Sequence, residues 1–233
     1  MDEAELFARL CDPGLLTTPE AIEIAMQRAR LDSGFGLRLA RTAIDSGLVQ
    51  DSAKALRLLD ILSAISNQIR VVVIGSLLHN ADSRVRSKAV LLIGRAQQNA
   101  GRVKQHMYDP DARVRANALE ALWGADPNEA RPVFQKALDD PANRVVGNAL
   151  VGLYLMKDPT CTQRIIAMSK HPDEKFRQTA VWVMRRTGDP AFIAVLSNIA
   201  REGGGTLRPK ALRALASIKL AHAAAVATGK LAG

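Results

Sequence analysis

Apolar residues in this chain recur at helical spacing, and the spacing itself repeats. Asp82-Ser83-Arg84-Val85-Arg86-Ser87-Lys88-Ala89 and Asp111-Ala112-Arg113-Val114-Arg115-Ala116-Asn117-Ala118 are the same phrase. With the valine as anchor, equivalent apolar residues fall at Val85, Val114, Val145, Phe176 and Leu207, in steps of 29, 31, 31 and 31 residues. A fixed period of this length marks an array of supersecondary units. Four residues past the anchor stand Ala89, Ala118, Ala149, Ala180 and Ala211; five past it, Val90, Leu119, Leu150, Val181 and Leu212; eight past it, Ile93, Leu122, Leu153, Met184 and Leu215. These offsets share one face of a helix. Eleven residues before the anchor come Ile74, Val103, Phe134, Ile165 and Leu196, which places a second amphipathic helix ahead of the first. Each unit is therefore predicted to be a helix pair.

The alanine column has a physical cause. Where helices approach closely, a side chain larger than a methyl forces the axes apart. Between the helices lie turn signals, Asp109-Pro110-Asp111, Asp126-Pro127-Asn128, Asp139-Asp140-Pro141, Asp158-Pro159, His171-Pro172-Asp173 and Gly188-Asp189-Pro190, which stop one helix and cap the next. The predicted pairs span about 36–66, 68–97, 99–125, 128–157, 160–188 and 190–222. The first is degenerate: its anchor is Leu56-Arg57, and Asp60 stands in its alanine column. Residues 1–35 are expected to form a helical cap, with Thr17-Thr18-Pro19-Glu20 opening a helix through a capping box and a first-turn proline. The Ala- and Gly-rich residues 223–233 are expected to be a flexible tail. The whole chain, 1–233, reads as a single repeat domain.

Composition agrees with an all-α fold, because aromatic residues make up only 4% of a chain rich in Ala, Leu, Val and Arg. The acidic start Met1-Asp2-Glu3-Ala4-Glu5-Leu6 lacks the basic and then apolar pattern of a signal peptide, and no later run is long enough for a membrane span. A cytoplasmic protein without membrane contact is expected. Cys11 and Cys161 are the only cysteines and read as small hydrophobes, not as a disulfide or thiolate metal site. Net charge is +9 and unevenly placed. Residues 1–50 hold five basic against eight acidic side chains, while residues 151–233 hold thirteen against five. The basic excess points to an anionic partner, either an acidic protein or nucleic acid.

The run from Asp111 to Gly124, with Arg113-Val114-Arg115, Ala118-Leu119 and Leu122 within it, resembles the second helix of a HEAT repeat, especially the short repeats of phycobilisome-lyase-type HEAT proteins. The resemblance covers residues 68–222 well and 36–66 poorly. It implies an armadillo-like helical fold, a right-handed α-solenoid of about six helix pairs following the N-terminal cap. It also implies an acid-to-arginine ladder between units, with Asp109 facing Arg115 and Glu202 facing Arg208; Asn80 stands where an acid would meet Arg86, and Val146 replaces the arginine. The basic residues flanking the anchors, Arg84, Arg86, Arg113, Arg115, Arg144, Lys175, Arg177 and Arg208, admit two readings, as structural links at solvated helix starts or as a stripe for phosphates.

In such solenoids the second helix of each pair lines the concave face. The positions turned away from the packed side hold Leu91, Arg95, Glu120, Trp123, Val151, Tyr154, Leu155, Trp182, Arg185, Arg186 and Arg213. Tryptophan, tyrosine and arginine dominate binding hot spots, so this set is the candidate partner surface. The alternative is that neighbouring helices half-cover Trp123 and Trp182 and that Tyr154 fills a crevice.

HEAT-like enzymes leave traces that can be sought. Hydroxylases of this architecture carry repeated His-Glu iron ligands, but none of His79, His106, His171 and His222 precedes a glutamate. His106 falls in a column otherwise holding Leu77, Ala137, Met168 and Ile199, and reads as packing. Glu120 among aromatic and arginine neighbours superficially resembles the acid of an alkylpurine DNA glycosylase, but a plain solvated glutamate is the better account. Bilin lyases share the short repeat. No catalytic residue, metal or cofactor is assigned. The expected function is a non-enzymatic scaffold that binds a protein or peptide partner, acidic in character. The alternative is a nucleic-acid-binding protein, with a glycosylase as its catalytic version.

Overall fold

A computed structural model describes residues 2–65, 70–97 and 100–228, and all regular structure among them is helical. The chain divides into two compact units, Met1–Ala125 and Asp126–Gly233.

In the first unit, α1 (Glu3–Cys11) and α2 (Thr18–Leu31) form the N-terminal cap. Thr17 accepts from the Glu20 amide while the Glu20 carboxylate accepts from the Thr17 amide at 2.8 Å, so the capping box is formed as the sequence predicts. Three helix pairs follow: α3 (Phe35–Asp45) with α4 (Ser52–Ile65), α5 (Arg70–Leu77) with α6 (Ser83–Gln97), and α7 (Ala100–Lys104) with α8 (Ala112–Ala121). The cap rests on α3 and α4, where the Phe7 and Phe35 rings meet edge to face with centroids 5.5 Å apart. Arg57, in the degenerate pair, is buried and donates to the Leu10 and Thr17 carbonyls. It thereby satisfies the Leu10 carbonyl near the end of α1 and adds a second donor to the Thr17 carbonyl, which already accepts from the Ala21 amide.

The second unit holds α9 (Pro127–Ala137) with α10 (Asn143–Leu155), α11 (Cys161–Met168) with α12 (Glu174–Thr187), and α13 (Ile193–Glu202) with α14 (Leu207–Ala227). A 3-10 turn over Pro190–Phe192 leads into α13. The turn signals act as the sequence suggests. The carboxylates of Asp111, Asp126, Asp173 and Asp189 accept from amides two residues on, at 2.7, 2.9, 2.8 and 2.8 Å, and Pro127 and Pro190 occupy first-turn positions where no amide is missed.

The columns read from the sequence are the cores of both units. Ile74, Val103, Phe134, Ile165 and Leu196 are all 0% exposed, and so are Ala89, Ala118, Ala149, Ala180 and Ala211. Val85, Val114 and Val145 are buried beside them; Phe176 is only half-buried, its ring stacked on His171 at 4.2 Å. Three features differ from expectation. The helix α7 ends after Lys104 and tightens into a 3-10 turn over Gln105–Tyr108. The helix α14 continues to Ala227 instead of stopping near residue 222, as its run of strong helix-forming alanines favours; residues 229–233 of the expected tail lie outside the described residues. Leu212, which belongs to a column buried elsewhere, is 49% exposed on α14, which packs on α12 and α13.

How closely the helices approach is shown at Gly152 on α10. A Cβ built there would lie 2.4 to 2.6 Å from three atoms of the Phe134 ring on α9. Helix propensity alone favours alanine over glycine by about 0.5–1 kcal/mol, but overpacking of this kind costs about 1–3 kcal/mol. Gly152→Ala is therefore expected to lower the urea midpoint followed by circular dichroism, and to do so less in a Phe134→Leu background. An equal effect in both backgrounds would show that the ring is not the obstacle.

Candidate interaction surface

The arginines beside the anchors sort into two rows with different surroundings. At three anchors the arginine that follows folds back on the turn before its own helix. Arg86 donates to the Asn80 and Ala81 carbonyls, Arg115 to those of Asp109 and Pro110, and Arg177 to those of His171 and Pro172. All three are half-buried, so their guanidinium groups are tied to backbone. The residue before the anchor is exposed in every case, at Arg84, Arg113, Arg144 and Lys175, and Arg208 is exposed as well. Arg84 is paired with Asp82 at 2.6 Å.

The acid-to-arginine pairing runs differently from the expected ladder. The Asp109 carboxylate accepts from Arg86 of the preceding pair, at 2.9 and 3.0 Å, while Arg115 takes the Asp109 carbonyl. Burial raises the Asp109 pKa, but the Arg86 hydrogen bond and charge and the Asp111 amide more than offset it, so the carboxyl titrates below its ordinary range. Glu202 bonds to Arg201 at 3.0 Å instead of facing Arg208.

A second polar row was present in the sequence and was not recognised. Three residues past the anchor stand Lys88, Asn117, Asn148, Thr179 and Lys210, all polar and each directly before the buried alanine column. Within each unit, side chains of this row reach back to the second helix of the pair before. Lys88 bonds to the Leu56 carbonyl and to Asp60, Asn117 donates to Ser87 Oγ at 2.7 Å, Thr179 accepts from Asn143 at 2.5 Å, and Lys210 donates to the Gln178 side-chain Oε1. The signal that would have found it is the uniform hydrogen-bonding character of that column.

The candidate partner residues do not all share one setting. In the first unit Leu91 and Trp123 are half-buried, and Arg95 pairs with Glu120 at 2.5 Å. Glu120 is thus a salt-bridged carboxylate, not an isolated acid. In the second unit Val151 is 2% exposed and corrects the sequence reading. The helix α10 packs on α9, α11 and α12 and is buried at every residue from Val145 to Leu153, so position 151 has no solvent face. Tyr154 is half-buried; burial, and the charge and hydrogen bond of Asp189, push its phenol up to about 12. It serves as a crevice residue that joins α10 to the turn before α13.

Trp182, Arg185, Arg186 and Arg213 are exposed, and three of them converge. Trp182, Arg185 and Arg213 line a groove of about 340 Å³ with Gln178, Val181 and Lys210. The tryptophan is 41% exposed, with ring atom Cζ3 3.7 Å from where a Cβ on Gly147 of α10 would stand. One part of the ring thus rests on the missing side chain of Gly147 and the rest faces solvent.

Other reactive groups are set for packing. Burial pushes the Cys11 thiol up to about 11 and the Cys161 thiol up to about 12, and Cys161 donates to the Leu150 carbonyl. His106 is buried, as its column suggests, and its ring centroid lies 6.3 Å from that of His79. Among the described residues no three His, Cys, Asp or Glu side chains gather in a metal-holding group, and no helix is long and apolar enough to cross a membrane. No protein-family model matches the chain, and a search of curated proteins finds no match.

Burial, the nearby His79 and Arg86 hold the His106 pKa below its ordinary 6.5. A group whose folded-state pKa is depressed opposes folding as pH falls below the unfolded value, because the unfolded chain binds the proton first. His106→Leu, which installs the residue found at Leu77 in the same column, is expected to narrow the gap between melting temperatures at pH 8 and pH 5. A gap as wide as that of the unaltered protein would show that His106 does not carry this dependence.

Proposed function

We propose that the chain is a HEAT-like repeat protein, its helix pairs continuing as a right-handed α-solenoid, that works as a non-enzymatic scaffold for an acidic protein partner. Both units support the repeat reading through the same buried columns. The observation that carries the functional reading is the groove at Trp182, where a half-exposed tryptophan is bordered by Arg185, Lys210 and Arg213 and no acidic side chain lines the wall. Aromatic and arginine side chains at a concave surface are the composition of interaction hot spots.

The nucleic-acid alternative draws support from the exposed basic residues before the anchors, Arg84 and Arg113 in one unit and Arg144 and Lys175 in the other. The salt bridge of Glu120 to Arg95 weighs against a glycosylase acid at that position.

Affinity capture from native lysate separates these readings. The unaltered protein is expected to retain a partner that Trp182→Ala loses about tenfold, with little change in melting temperature. Retention should persist at moderate salt, whereas phosphate contacts would weaken steeply as salt rises. Equal loss of capture and of thermal stability would make Trp182 a core residue, and gel-shift binding of DNA that collapses with salt would favour the alternative.

A further inference from the structure

The groove has a polarity that narrows what fills it. On α12, Gln178, Val181, Trp182 and Arg185 are spaced three, four and seven residues from the first, so they form one stripe along two helical turns. At about 1.5 Å of rise per residue this stripe is roughly 10 Å long, the reach of about three extended peptide residues. Lys210 and Arg213 face it from α14.

The two ends differ in charge. Beyond Gln178, one turn back along α12, stands Glu174, whose carboxylate accepts from Gln178 at 2.7 Å and from Thr206 at 3.0 Å. The Lys210 ammonium is already held by the Gln178 side-chain Oε1. At the other end, Arg185 and Arg213 have no ion pair among the described residues. Arg185 lies in the last turn of α12, where positive charge suits the helix dipole; Arg213 lies well inside α14, where that explanation does not apply.

We infer that this groove seats a short peptide segment of an acidic partner, with one apolar side chain against Trp182 and the adjoining carboxylates on Arg185 and Arg213. Guanidinium forks match carboxylates in charge and in planar geometry. Single-stranded nucleic acid fits less well, because it needs a continuous electropositive track, and Glu174 interrupts the basic surface one turn beyond Gln178. The inference rests on the interaction-scaffold reading and deepens it.

The test is fluorescence anisotropy on the full chain with a labelled peptide in which one phenylalanine precedes two glutamates between glycine and serine flanks. The controls are the same peptide with glutamines for the glutamates, and an oligothymidine of eight nucleotides. The acidic peptide is expected to bind about tenfold more tightly than the glutamine peptide. The double variant Arg185→Glu, Arg213→Glu should abolish that preference, while Arg164→Glu on α11 leaves it intact. Trp182→Ala should weaken both peptides; Trp182→Phe, which keeps a ring on Gly147, should retain binding if the alanine variant misfolds. An acidic peptide that binds no better than its glutamine form, or whose preference survives the double reversal, overturns the inference, as does tighter binding of the oligothymidine. A lysate partner still captured through Trp182 after the double reversal would defeat this inference alone. Failure of the unaltered protein to capture any partner would defeat the scaffold reading itself.

Discussion

The separation between helices is set by side chains no larger than a methyl. Ala89, Ala118, Ala149, Ala180 and Ala211 are wholly inaccessible, and close packing at native density leaves no room to enlarge them without moving a helix axis. Glycine takes the constraint further. The Phe134 ring fills the space over Gly152, and Thr179 and Trp182 lie against Gly147. Trp182 is held in place this way: its ring is seated where α10 offers no side chain, and the remainder of the ring is left for the groove. The candidate surface is therefore a product of the packing rule that builds the repeat.

Close approach also decides what the polar groups can do. Helices brought near each other bury backbone carbonyls at the turns and polar side chains along the seams, and each needs a partner. The arginines after the anchors meet the first need by donating to two successive turn carbonyls, and the row containing Lys88, Asn117, Thr179 and Lys210 meets the second. With Arg177 engaged in this way, the exposed basic side chains of the second unit include Arg144, Lys175 and Arg208 at the helix starts and Arg185 and Arg213 at the groove.

Much of the architecture was legible in the sequence because burial repeats with the period. The columns around Val85 and Val114, the aspartate caps and the Thr17 capping box each follow from local chemistry that a single helix expresses. What the sequence hid depends on distances between helices. Val151 occupies an outward position in a helix considered alone, yet it is covered because α10 has neighbours on three sides. Asp109 was paired with Arg115 by a ladder rule, whereas the geometry delivers it to Arg86. Trp182, Arg185 and Arg213 were legible as exposed residues. That they border one groove follows from how α12 meets α14, which no spacing along either helix encodes.

The bonds along the polar row join each helix pair to the one directly before it in its unit. Lys88 to Leu56 spans 32 residues, Asn117 to Ser87 spans 30 and Asn143 to Thr179 spans 36. Low contact order of this kind favours fast assembly, and loop closure costs only about 0.6 kcal/mol more for each doubling of loop length. Within each unit a helix pair can dock on the one before it as soon as roughly thirty further residues are available. Within each unit such contacts can form as the chain lengthens, and damage to one seam acts first on the adjoining helix pair.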